Sequence, residues 1–356
     1  MEKLKAAIIG TGGISNEHIL GYLANPNTEL YAFCDINEDN LYSMAEKYGV
    51  PRERCFNDKD KMLEALPEID IVSVTTWNNA HAECTIAALN AGKAVLCEKP
   101  MAMNSVQAQE MLETAKKNNA LLQIGFVRRY GDDAIILKDY ADNGYFGDIY
   151  FSKATYLRRA GNPGGWFSDK SRSGGGPLID LGVHVIDLVR YIAGGPKPVS
   201  AYGVTYQKLF NRPGIKNARG YKPLGGDSTS ICDVEDLAIA YIRFDNGMTL
   251  SLEASFCLNR ENDIGEVEIF GTKAGCKLDP EVKLYTDMND YMVTASLPNS
   301  VLMSFDDLFA REIDHFVDCA LGKAECIAPA EDGVMLMKIL DAVYESARTG
   351  QVVQID

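Results

Sequence analysis

The first third of the chain alternates short apolar runs with amphipathic stretches. Residues 4–10 (LKAAIIG), 29–34 (ELYAFC), 69–75 (IDIVSVT), 94–97 (AVLC) and 120–126 (ALLQIGF) read as buried strands. Between them, residues 15–24, 38–48, 79–91 and 105–118 read as helices, with Gly49 and Gly92 as stop signals. Apolar strands separated by helices predict parallel βαβ units, joined by right-handed crossovers into a doubly wound sheet with both faces covered.

Beyond about residue 130 the pattern changes. A helix near 130–142 precedes a strand at 149–157, and a helix at 177–193 stops before Gly194-Gly195-Pro196. Residues 234–244 and 248–257 flank Asp245-Asn246-Gly247, a hairpin signal. In the second strand Leu250, Leu252, Ala254 and Phe256 alternate with Thr249, Ser251, Glu253 and Ser255, which sets one face against a core. Short strands continue to about 297, followed by helices near 306–321 and 331–348. The expected fold class is an α/β Rossmann domain over residues 1–126 and an α+β domain over 127–356 with a mainly antiparallel or mixed sheet.

Composition narrows the partners. The 356 residues suit about two domains. Thirty-five Lys+Arg against 50 Asp+Glu leave a formal charge of −15, which disfavours nucleic acid and anionic membrane surfaces. No apolar stretch reaches the roughly 18 residues of a membrane helix, and the start MEKLKAAIIG has no signal-peptide character. The nine cysteines form no C-x-x-C pair, so reduced thiols in a cytoplasmic protein are expected, without disulfides or a zinc site.

Three motifs carry candidate chemistry. Gly10-Thr11-Gly12-Gly13-Ile14-Ser15 follows the first strand and opens the first helix. There Gly10 permits a tight turn, and Gly12 lets a pyrophosphate reach the helix N-terminus. With 31 glycines in the chain such a triplet alone is weak, and its position in the first βα turn is what gives it weight. Asp35 ends the second strand, where a carboxylate bonds both ribose hydroxyls and repels a 2′-phosphate. No Lys or Arg lies between Lys5 and Lys47, so NAD is favoured over NADP. The second motif, Cys97-Glu98-Lys99-Pro100, places Lys99 at the carboxyl end of a strand, within reach of a cofactor's reactive end.

The third motif is Gly174-Gly175-Gly176-Pro177 leading into an almost wholly apolar helix, on which Asp180, His184, Asp187 and Tyr191 form one polar stripe. A carboxylate four residues before an imidazole orients it and stabilises its protonated form, which suits proton transfer near neutral pH. The alternative at each motif is structural: a plain turn, a helix cap, a surface lysine, a satisfied Asp–His pair. These candidates form no metal-ligand cluster, so no metal is expected. Just upstream, the segment 156–173 offers Tyr156, Arg158, Arg159 and Trp166, of which Trp166 suits stacking on a pyranose face and the arginines suit hydroxyls or an anionic group. A second loop, 207–230, carries Arg212, Lys216, Arg219 and Lys222 and reads as a lid or a subunit contact, with a solvated loop as the plainer alternative.

Taken in order and spacing, Gly10–Ser15, Asp35, Glu98-Lys99-Pro100 and Gly174–His184 resemble the Gfo/Idh/MocA oxidoreductases, a family that includes inositol dehydrogenases and glucose–fructose oxidoreductases. The resemblance spans essentially the whole chain. It takes in Gln123-Ile124-Gly125-Phe126 with Arg128-Arg129-Tyr130, and Val234-Glu235-Asp236 before the hairpin. Thr75-Thr76-Trp77-Asn78-Asn79-Ala80-His81 is similar to the family's post-strand loop, with Trp77 in place of the usual proline and suited to packing against the nicotinamide or adenosine side.

The resemblance implies an NAD site built from Gly10, Gly12, Gly13, Ile14, Asp35, Ile36, Thr75, Thr76, Trp77, Asn78, His81, Glu98 and Lys99. It implies catalysis by Lys99 and His184 with Asp180 as partner, and a substrate set of Lys99, Arg129, Tyr156, Arg158, Trp166, Asp180 and His184. It also implies a large open C-terminal sheet that mediates a homodimer or homotetramer. The expected reaction is hydride transfer between NAD and a secondary alcohol of a sugar, glycoside or cyclitol. Alternatives are glycoside oxidation with NAD recycled in place, hydride transfer between two sugars, and a non-catalytic NAD-binding regulator.

Overall fold

In the computed structural model, which describes residues 2–209, 231–278, 281–297 and 305–356, the apolar run Leu4–Ile9 forms β1 of a six-stranded sheet. The alternation continues as α1 (Ser15–Ala24), β2 (Thr28–Cys34), α2 (Glu38–Tyr48), β3 (Cys55–Phe56), α3 (Lys59–Ala65), β4 (Ile71–Val74), α4 (Asn78–Asn90), β5 (Ala94–Glu98), α5 (Ser105–Asn118) and β6 (Leu122–Gly125). The strands pair in parallel in the order β3-β2-β1-β4-β5-β6. The order reverses direction at β1 and β4, the switch point where doubly wound sheets bind ligands. Local chemistry sets the helix ends: the Asn37 side chain caps α2 by accepting the Asn40 N–H at 3.0 Å, and Gly49, at φ 72°, ends it. The sequence pattern missed β3 and α3, which at two and seven residues are too short to show a period.

The chain divides into two compact units, and the division is not a single cut. The first comprises Met1–Val127 with Phe305–Val334, and the second Arg128–Ser304 with Met335–Asp356. The helix α9 (Phe305–Ala320), which the sequence division placed in the second domain, therefore belongs with the parallel sheet. Its Ile313, Phe316 and Val317 share one buried core with Ile8, Ile19, Tyr22 and Phe33. Gly21 of α1 admits this contact, because a Cβ there would lie 2.7 Å from the Ile313 side chain. Burying such side chains contributes about 1.5–3 kcal/mol each, and α1 and α9 lock together through it.

The second unit is built on a nine-stranded sheet. Its strands are β7 (Ile149–Leu157), β8 (Pro198–Tyr206), β9 (Leu237–Phe244), β10 (Thr249–Ser255), β11 (Ile264–Gly271), β12 (Gly275–Leu278), β13 (Lys283–Met288), β14 (Tyr291–Ser296) and β15 (Val353–Gln354), in the order β14-β13-β12-β11-β7-β10-β9-β8-β15. All pairs are antiparallel except β7 with β10, so the sheet is mixed and mostly antiparallel. The Asp245-Asn246-Gly247 turn joins β9 and β10 as the sequence predicts. The unit's helices are α6 (Asp132–Asp142), the single turn α7 (Lys170–Ser173), α8 (Val183–Ile192) and the last part of α10 (Ala330–Thr349).

One local prediction fails in form. The segment predicted as a single helix over 177–193 opens with a π-helical stretch, Leu178–Gly182, before the α-helix begins at Val183. Hydrophobic periodicity does not distinguish the two, since both keep Leu178, Ile179 and Leu181 buried.

Candidate active site

The glycine turn comes first. Gly10 has φ 96°, and a Cβ there would lie 2.7 Å from the backbone of Thr75 and Thr76, so only glycine fits. Gly12 is the opposite case: a Cβ there meets nothing within 4 Å, and the turn faces open space. No side chain caps the N-terminus of α1, whose N-cap is Ile14. An uncapped helix start beside a bare glycine backbone fits a pyrophosphate.

Asp35 holds this turn from the end of β2. Its Oδ2 accepts the Thr11 N–H at 2.6 Å and the Thr11 hydroxyl at 3.0 Å, while Oδ1 accepts the Asn37 N–H at 2.8 Å. Thr75, on the neighbouring loop, donates its hydroxyl to the Gly10 carbonyl at 2.6 Å. Ile14, Ile36 and Trp77 are exposed around the turn, Ile36 by 85%, and such apolar surface suits a nucleoside. The residues present thus fit an NAD adenosine half: a glycine backbone for phosphate, a carboxylate for ribose and apolar side chains beside it.

Not every loop residue is placed to touch a cofactor. His81 is buried, its Nδ1 2.7 Å from the Pro100 carbonyl and its Nε2 3.1 Å from that of Thr76. It ties two loops together, and burial pushes its pKa down despite those carbonyls. Asn78 is buried as the first residue of α4.

The strand-end motif has support that sequence reasoning missed. Glu98 is buried beneath Lys99, which is half-exposed. One Glu98 oxygen lies 2.9 Å from His18 Nε2, and the other accepts the Lys99 backbone N–H at 3.1 Å. His18 Nδ1 in turn meets the Ser73 hydroxyl at 3.0 Å, which meets the Tyr22 hydroxyl at 2.7 Å. Burial raises the Glu98 pKa, but the His18 hydrogen bond and the charges of His18, Lys99 and His81 outweigh it, so the carboxyl titrates below its ordinary value. Gly125 leaves room for this carboxylate, since a Cβ there would lie 3.3 Å from it. The signal was present in the sequence, because His18 falls on the same buried stripe of α1 as Ser15, Ile19 and Tyr22.

The fold also brings Glu312 of α9 to this place. The ligand-type atoms of His18, Glu98 and Glu312 lie within 4.8 Å of one another, a grouping that no local pattern in the chain discloses.

The second unit carries the other half of the candidates. From Gly175 to Arg190 every residue is buried except two, Asp180 and His184. Asp180 sits on the π stretch and His184 on the first turn of α8. The start of this element is fixed by Glu235, whose oxygens accept the N–H groups of Gly176 and Leu178 at 2.9 and 3.1 Å and the Tyr344 hydroxyl at 3.0 Å. Glycine is required at 175 and 176, where a Cβ would fall 2.0 Å from the Tyr344 hydroxyl and 2.2 Å from the Glu235 carbonyl oxygen.

The predicted polar stripe is divided between two tasks. Asp187 is buried and forms a two-pronged ion pair with Arg129, Nε to Oδ2 at 3.0 Å and Nη2 to Oδ1 at 2.5 Å. The Arg129 guanidinium also lies 4.9 Å from the centre of the Tyr191 ring. Arg129 is 1% exposed, so the expectation that it binds substrate is corrected: its fork is engaged by a carboxylate inside the fold.

The upstream segment keeps Tyr156, Arg158 and Trp166 half-exposed. Trp166 stacks on Phe167 with ring centres 3.9 Å apart, and Arg158 donates to the Gly161 carbonyl at 3.1 Å. Arg159 turns away to the Glu261 carbonyl. Arg212, Lys216, Arg219 and Lys222 of the second loop lie outside the described residues.

Comparison with known proteins identifies the family of both units. Residues 4–126 match the model of the oxidoreductase family with an NAD-binding Rossmann fold, and residues 138–355 match that of the family's C-terminal alpha/beta domain. The D-glucoside 3-dehydrogenase of Escherichia coli (strain K12) is 38% identical over 355 residues, 99% of this chain and 97% of the relative. The levoglucosan dehydrogenase of Pseudarthrobacter phenanthrenivorans is 31% identical over 288 residues, covering 77% and 73%. A solved levoglucosan dehydrogenase in complex with NADH and L-sorbose superimposes with a TM-score of 0.85 at 26% identity, over the whole of both chains. The chain belongs to the Gfo/Idh/MocA oxidoreductase family and is an NAD-dependent enzyme of it.

Proposed function

We propose that Lys99, His184 and Asp180 carry out hydride transfer between NAD and a secondary hydroxyl of a sugar, and that the substrate class is a D-glucoside oxidised at carbon 3. The observation that carries the residue assignment is the pattern of exposure around His184. In a run of sixteen residues, only an imidazole and the carboxylate one turn before it reach the surface. A folding role alone gives no reason to expose just these two. The substrate class is supported by the 38% identical relative, whose name specifies that position.

When bound, NAD supplies the hydride acceptor at its nicotinamide ring. His184 takes the hydroxyl proton as general base, and in the reverse direction returns it to the carbonyl. Asp180 orients the imidazole and stabilises its protonated form. Lys99 donates a hydrogen bond to the same substrate oxygen and stabilises the negative charge that develops there. Its backbone is held by Glu98, so the ammonium starts from a fixed root. Trp166, Tyr156 and Arg158 present aromatic faces and a guanidinium suited to a pyranose ring and its hydroxyls. Asp35 accepts from the ribose hydroxyls and disfavours a 2′-phosphate, which favours NAD over NADP.

We extend the reading to assembly and location. One face of the nine-stranded sheet carries exposed Tyr202 and Tyr241, directly opposite each other in register, with Tyr206 beside them. Exposed aromatics on a broad sheet suit burial against a second copy, as a homodimer or homotetramer. Among the described residues no helix is long and apolar enough to cross a membrane. All nine cysteines are free thiols, which supports a cytoplasmic setting.

The test is a panel of D-glucosides, free sugars and inositols, followed by NADH formation and identification of the product. A 3-keto glycoside with one NADH per turnover supports the reading. Turnover without accumulating NADH favours in-place recycling instead. No turnover with any glycoside overturns the substrate class.

A further inference from the structure

A cluster of nucleophilic side chains lies apart from every residue given a role above. Near the end of α9, Cys319 Sγ stands 3.3 Å from Nε2 of His315, one turn earlier on the same face. That nitrogen also accepts the backbone N–H of Ile327 at 3.2 Å. A ring nitrogen that accepts a backbone N–H presents a lone pair, which leaves Nδ1 as the protonated nitrogen of the neutral ring. The neutral ring thus carries its lone pair on Nε2, where the Ile327 N–H and the Cys319 thiol share it. Burial pushes the His315 pKa down and keeps the ring neutral, as a base must be.

A second thiol adjoins the first. Cys326, next in the chain to the Ile327 whose N–H meets His315, donates its S–H to the Gln123 Oε1 at 3.7 Å and lies close enough to Cys319 to act on its titration. Both sulfurs belong to half-buried residues. Cys319 lines a surface cavity of about 380 Å³ that Leu4, Asp70, Asn118 and Leu121 also border, so a small oxidant has a route to it. Burial and the nearby Asp318 push the Cys319 thiol up, whereas Cys326 pulls it down. The resting group is thus the thiol, and the imidazole has to take its proton during attack.

We infer that Cys319 and Cys326 form an oxidant-responsive dithiol, with Cys319 as the attacking sulfur, His315 as its base and a hydroperoxide as co-reactant. Cys319 sulfur attacks the terminal peroxide oxygen, the O–O bond breaks, and the proton held by His315 leaves with the departing oxygen as water or alcohol. Cys319 is then a sulfenic acid. Cys326 sulfur attacks it, the S–O bond breaks, and water departs with the Cys326 proton. The two thiols are oxidised to one disulfide and the peroxide is reduced. The inference stands on residues of the first unit alone and does not depend on the function proposed above.

The experiment uses the full-length, NADH-loaded protein titrated with hydrogen peroxide, followed by peptide mapping with and without a sulfenic-acid trap. Cys55 is the internal control: it is also half-buried, but its thiol faces the Pro51 carbonyl. We expect Cys319, with an imidazole nitrogen 3.3 Å away to take its proton, to be modified about tenfold faster than Cys55, whose thiol faces a carbonyl. A 319–326 disulfide should form and be reversed by dithiothreitol. Cys326→Ser should let the trap capture Cys319, Cys319→Ser should abolish the crosslink, and His315→Gln should slow the reaction about tenfold. A Cys319 rate in the wild-type protein no higher than that of Cys55, or a crosslink to any other cysteine, overturns the inference. That wild-type comparison decides the matter even if His315→Gln fails to fold.

Discussion

His18 Nε2 lies 2.9 Å from Glu98 Oε1, and the other oxygen of that carboxylate holds the backbone N–H of Lys99. A buried network that starts on α1 therefore ends at the residue proposed to meet the substrate. Glu98→Gln keeps the shape but replaces one acceptor oxygen with a donor. It should lower kcat ten- to hundredfold through misplacement of Lys99, while NADH affinity changes little. Steady-state kinetics beside a fluorescence titration of NADH separate the two effects.

The same carboxylate sets a pH dependence. Its folded pKa is depressed, so the stability it contributes is present above the unfolded carboxyl's pKa and is lost as pH falls through the lower, folded value. The wild-type Tm should therefore fall more steeply than that of Glu98→Gln below about pH 4.5. Parallel curves for the two proteins would show that the carboxylate is not ionised in the fold.

Lys99→Ala and His184→Ala should each lower turnover by about two to four orders of magnitude with cofactor binding preserved. Asp180→Asn should cost less, because it leaves the base in place. Near-normal rates in both alanine variants would remove these residues from the chemistry.

Asp35 has two tasks, bracing the glycine turn through Thr11 and facing the ribose. Asp35→Ala should weaken NADH binding about tenfold or more and narrow the preference over NADPH. A titration with both cofactors reads this directly.

Arg129 offers a contrast between stability and recognition. Removing one partner of its buried pair with Asp187, as in Arg129→Met, should cost about 3–5 kcal/mol in a urea melt. A substrate ligand would instead raise KM and leave the melt unchanged.

Much of this was legible in the chain. The parallel half shows in its apolar strands and glycine stops, and α1, α2 and α5 begin and end where the pattern places them. Asp180 and His184 stood out as polar residues on an apolar helix. Periodicity cannot reveal long-range partners: nothing along the sequence says that Asp187 meets Arg129 while Asp180 stays at the surface. Nor does local pattern disclose that His18 reaches Glu98, eighty positions away, or that Leu178–Gly182 is wound more loosely than an α-helix.

The core that α9 shares with α1 has a practical corollary. An expression fragment ending at residue 126 would strip the cover from Ile19 and Tyr22 and leave a greasy scar on the parallel sheet. Such a fragment should aggregate, and supplying residues 305–334 on a fused linker should restore a soluble, NADH-binding piece. The nucleotide-binding half is contiguous in space but interrupted in the gene's reading order, and anyone dissecting it must cut twice.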